Sequence, residues 1–123
     1  MFEGLRETFL LLFTFPKTPA RVSRTVNEAW DFAAAYLGID DPGYPPPVVL
    51  RPTSWNVGGQ AVIGRYNVLQ IFGWVLKERI TLLDAGNLFE NMAHESAHSL
   101  AARNGLPLGE VTPERVERAA LYR

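Results

Sequence analysis

Residues 87–105 constrain the fold more than any other part of the chain. Neither glycine nor proline occurs between 88 and 104. The stretch opens on Asn87, a good N-cap, with Glu90 three residues later in capping-box spacing, and it closes on Asn104-Gly105, a left-handed stop. A helix ending near Arg103 is therefore predicted. Stepping about 100° per residue from His94, His98 lies at about 40°, Asn91 at about 60° and Glu95 at about 100°. Phe89, Ala93, Ser96 and Leu100 fall between about 200° and 260°. The first side is polar. The second is small and apolar enough to be buried, so the rest of the chain must cover it.

The polar side carries both of the chain's histidines. They stand in His94-Glu95-Ser96-Ala97-His98, an H-E-x-x-H pattern. Imidazoles four apart on a helix share a face and can bind one Zn²⁺, each at about 2.0–2.1 Å. Glu95 stays off such a metal but next to a water on it, where a carboxylate serves as general base. A catalytic zinc needs a third protein ligand. With no cysteine in the chain, the candidates after His98 are Glu110, Glu114 and Glu117. Thr112-Pro113-Glu114 reads as a helix start, with Thr112 as N-cap, and the helix dipole accounts for Glu114. Glu117 falls beside Val116 and Ala120 on the core-facing side, where a carboxylate needs a partner or a metal. Glu117 is therefore favoured as ligand, ahead of Glu114 and then Glu110.

The 123 residues make one domain, 1–123, and 47% apolar against 20% charged is ordinary for a globular chain. A net charge of −1 gives no pull toward nucleic acid. The apolar run 9–15 is too short to span a membrane, and Glu3 and Glu7 outweigh Arg6 before it, unlike a signal peptide. A soluble, cytoplasmic protein without a membrane span is expected. Phe2, Leu5, Phe9, Leu12 and Phe13 have helical spacing, which predicts an amphipathic helix packed on the core. Residues 1–19 have two other uses open to them, as a cleft cover or a protein-partner contact. Thr18 or Ser23 opens a backing helix that ends at Gly38, with Val22, Val26, Ala29, Trp30, Ala33 and Leu37 inward. After a proline-rich loop with a solvated Asp40-Asp41 turn, strands are predicted at 47–51, 60–66 and 79–83. A polar turn containing Gly58-Gly59 separates the first two. Residues 68–76 either extend the sheet or form a bulged hairpin arm. The fold class is small α+β with a mostly antiparallel sheet.

The strand, turn, His94-Glu95-x-x-His98 helix and glutamate-bearing final helix resemble the zincin metallopeptidases, in particular the glutamate-ligand branch, the gluzincins. The eighteen residues between His98 and Glu117 are close to the spacing in thermolysin-like members. The short chain is similar to the minigluzincins. The resemblance spans roughly residues 47–121 in order of elements; in sequence it rests on the five-residue motif and a candidate glutamate. It implies a zincin-like single domain in which His94, His98 and Glu117 bind zinc and Glu95 is the catalytic base of a metalloendopeptidase acting on peptides or proteins. It also implies a rim strand at 79–83 that pairs with extended substrate, and latency through a terminal segment in the cleft. The chain departs from the metzincin pattern, with Ala101 at its glycine and Asn104 at its third histidine. Val116 before Glu117 and Leu121 four after it depart from the thermolysin-type glutamate motif. No further histidine is present to stabilise an oxyanion, and nothing selects among Tyr122, Arg115 and Arg118. The same features also suit a non-catalytic metal-binding or protein-interaction module in a larger assembly, or a metal-dependent hydrolase of another bond.

Overall fold

In the computed structural model of the chain, residues 2–57, 59–107 and 109–123 are described, the first four of these by backbone alone. Gly58 and the side chains of Phe2 and Leu5, which bear on the expectations above, lie outside the described residues. The chain runs through helix α1 (Phe2–Phe13), a 3-10 turn (Ala20–Val22), helix α2 (Ser23–Leu37), strands β1 (Val48–Arg51), β2 (Trp55–Val57), β3 (Gln60–Val62), β4 (Gly64–Ile71) and β5 (Trp74–Leu83), helix α3 (Leu88–Arg103) and helix α4 (Val111–Leu121). The fold is α+β. No helix among the described residues is long and apolar enough to cross a membrane.

The main sheet has the order β1-β5-β4, and β2 and β3 form a separate antiparallel pair. β1 runs parallel to β5 and β4 antiparallel to it. β5 is thus the central strand, bonded on both sides. The expected rim at 79–83 is therefore not a free edge; the outer edge beside α3 belongs to β4. The predicted strand 60–66 breaks at Ile63 into the ends of β3 and β4. Residues 68–76 form a hairpin bulged at Leu69/Gln70, turning on Phe72 and Gly73 with φ of 52° and 82°. Both central residues are left-handed, as in the two-residue turns whose twist matches the strands.

Strand alternation gives the sheet two unlike faces. Val48, Ile80 and Leu82 point toward the helices and are buried. They join Val26, Trp30 and Ala33 of α2, Met92, Ala93 and Leu100 of α3, and Val116 and Ala120 of α4 in one core. α2 is the expected backing helix, and Gly38 ends it at φ 74°. Thr18 does not cap it; its Oγ1 instead accepts the Val48 N–H at 3.0 Å and so fixes the start of β1.

The opposite face presents Arg65, Asn67, Lys77 and Arg79, and α1 lies across it. Glu7 binds Arg65 and Asn67, while Arg79 and Lys77 donate to carbonyls at the end of α1. The mounting is largely polar. Leu11 is buried, but Phe9 and Phe13, expected on the core side, are 61% and 65% exposed. The described part of α1 therefore does not cover the histidines, which lie beyond the other face of the sheet.

Candidate metal centre

α3 packs against α2, α4 and the sheet. Asn87 is the N-cap, but its side chain makes no capping bond. Glu90 is bonded by Arg123 at 3.2 Å, so the expected capping box is absent. The expected polar side is itself mostly enclosed. Asn91 and Glu95 are both 5% exposed, and the side chains of His94 and His98 only 17% and 16%.

α4 begins earlier than the sequence suggested. Glu110 is its N-cap, in place of Thr112. Pro113 suits this start equally, because no N–H in the first helical turn has an intrahelical partner. The shift decides which carboxylate meets the histidines. Glu110 Oε2 lies 3.0 Å from His94 Nε2 and its Oε1 lies 2.9 Å from His98 Nε2. Glu117 lies on the other side of His94, with Oε1 2.6 Å from Nδ1. Glu117 thus has a partner, but its side chain is 43% exposed where the sequence placed it toward the core, and it meets Nδ1, the nitrogen not turned to Glu110. Glu114 is exposed, as are Arg115, Arg118 and Tyr122. The sequence signal for Glu110 was its place four residues before Glu114 at a helix start, hidden by the plausible Thr-Pro start.

Carboxylates face both ring nitrogens of His94. If Nδ1–H donates to Glu117, a neutral ring turns the Nε2 lone pair toward the Glu110 carboxylate, and two acceptors face each other. A proton or a metal ion resolves this. The ligand atoms of His94, Glu95 and His98 lie within 4.8 Å of one another. Separations of 2.9–3.0 Å from Glu110 are slightly closer than the roughly 3.3 Å between neighbouring ligand atoms on a tetrahedral ion of zinc's bond lengths. The donor set of two imidazoles and a carboxylate fits zinc.

Surroundings tune the groups. Burial pushes the Glu95 carboxyl up to about 7; Glu110 and Glu117 push the same way, against His94 and Arg65. Burial lowers the His98 pKa, opposed by Glu110, which favours the neutral ring that a metal needs. Gly64 brings β4 against Glu95: a Cβ there would sit 3.5 Å from Glu95 Cγ and 3.4 Å from Leu82 Cδ2. Tyr66, two residues on, lies parallel to the His98 ring, with centroids 6.4 Å apart. Its hydroxyl donates to Glu78 at 2.6 Å. Ser99 also donates to Glu78. Arg103 Nε donates to it at 2.8 Å. The network around Glu78 was not singled out from the sequence, which scatters it over three elements.

Comparison with protein-family models, curated proteins and solved structures finds no match to this chain.

Proposed function

We propose that the chain is a small zinc-dependent peptide hydrolase of gluzincin type. The observation that carries the proposal is the convergence of His94 Nε2 and His98 Nε2 on one carboxylate, beside a buried Glu95. His94, His98 and Glu110 would hold the ion. Glu117 would orient His94 through Nδ1, as carboxylate partners of ligating histidines do. Bound there, zinc supplies a Lewis acid and lowers the pKa of water. Glu95 is the base that takes the proton, and its burial beside the histidines keeps it within reach of a water there. The free edge of β4, adjoining Glu95 at Gly64, offers main-chain groups to an extended peptide.

The test is Glu95→Gln. The variant should keep its zinc and lose peptide hydrolysis by at least about a hundredfold, the usual scale of a general base. Undiminished hydrolysis would refute the role. A second reading rests on α1, whose Phe9 and Phe13 are exposed beside Phe15, 83% exposed. It makes the chain a non-catalytic metal-binding module that meets a protein partner through this helix. Zinc binding without hydrolysis of any peptide in a diverse library would favour it.

A further inference from the structure

A cavity of about 550 Å³ lies on the far side of the sheet from the histidines, between α1, the outer sheet face and the β2-β3 pair. Among the described residues Arg6, Arg51, Arg65 and Arg79 line it, with Glu7 as the one acid. Four guanidinium groups against one carboxylate give the described lining a charge of +3, in a chain of net charge −1. Arg65 and Arg79 are diagonal neighbours, since Arg65 pairs with Thr81 and Asn67 with Arg79. Like charges so placed repel unless compensated.

Compensation within the protein is partial. Glu7 answers Arg65 at 2.8 Å. Arg79 spends one nitrogen on the end of α1, at 3.0 Å from the Leu10 carbonyl. Its Nε is buried and has no partner among the described residues. Arg6 and Arg51 have no carboxylate partner among the described residues. Arg51 instead lies 5.0 Å over the Trp55 ring, which fixes a cation beside an aromatic surface. Leu11 and Val49 add apolar wall. The volume is that of a small-ligand site.

We propose that this cavity binds a small phosphate ester with an aromatic or apolar body, independently of the metal centre. Guanidinium groups match the oxygens of a phosphate bidentately. Trp55 and the apolar wall would take the body.

The test is calorimetric titration of the whole chain with phenyl phosphate, and with inorganic phosphate as the bodiless control. Phenyl phosphate should bind one to one, at least tenfold more tightly than phosphate. Arg51→Gln should weaken it about tenfold, as loss of one charge-assisted contact does. Glu7→Gln should strengthen it by removing the competing carboxylate. His98→Ala, which dismantles the metal centre, should leave it unchanged, so failure of one site is separable from failure of the other. No saturable binding of phenyl phosphate at millimolar concentration would overturn the proposal. So would binding indifferent to both Arg51→Gln and Glu7→Gln, with unchanged melting temperatures showing both variants folded.

Discussion

Glu95 couples chemistry to stability through one proton. Its pKa of about 7 in the fold stands above the ordinary 4.5. Between those values the folded chain holds a proton that the unfolded chain releases. The stability this group contributes is therefore complete below pH 4.5 and is lost as pH rises through 7. In the zinc-free protein, Glu95→Gln should match the parent near pH 4 and exceed it above pH 7 by up to roughly 3 kcal/mol. Urea melts across that range check this; a difference independent of pH contradicts it. His98 has the opposite sign. Its lowered pKa contributes stability present above its unfolded value and lost as pH falls through the folded one. Both proteins share that contribution, so it cancels in the comparison. Glu78 matters in another way. Its side chain is 7% exposed, and it pairs with Arg103 at 2.7 Å. Glu78→Ala takes the carboxylate from Arg103, which keeps its carbonyl contacts to Pro42 and Tyr44, and frees Tyr66 and Ser99, at a cost of about 3 kcal/mol by thermal melt. A loss below about 1 kcal/mol would show that the network does not hold the site.

Helices were more legible than strands, because their signals are local. Gly38 stops α2 where a left-handed residue was expected, and α3 ends at Arg103 before Asn104-Gly105. α4 was misplaced by two residues because Pro113 fits several first-turn positions. The hairpin was hard to read for a physical reason. Its turn needs two left-handed residues, and a phenylalanine, 97% exposed, fills the first. Asn-Gly, the usual signal, would have shown it. Phe72→Asn should stabilise the hairpin by about 1 kcal/mol, the scale of left-handed strain at a residue with a Cβ. Denaturant midpoints measure it, and a destabilised variant would mean that the phenylalanine ring makes a contact that outweighs the strain.

The whole molecule divides its work between the two faces of one three-stranded sheet. The inner face packs on α3 and brings Gly64 and Tyr66 to the motif. The outer face is basic and carries α1. The strands of the main sheet were visible in sequence, but β2 (Trp55–Val57) lies within the stretch 54–60 read as a polar turn. Which strand was central depended on β1 returning beside β5, a long-range pairing that local pattern does not encode. The span of the H-E-x-x-H helix was legible; the carboxylate that meets both its histidines was not, because α4 starts two residues before its Thr-Pro signal and so brings Glu110 to them. Zinc titration of the purified chain, monitored by calorimetry, bears most directly on the centre. We predict one zinc per chain, lost in His98→Ala and in Glu110→Ala. Glu117→Ala should keep the site but weaken it by about 10- to 100-fold, as loss of a histidine's carboxylate partner does. An intact chain that binds no zinc at micromolar concentration would contradict the account, leaving two helical histidines clasped by carboxylates and no metal centre.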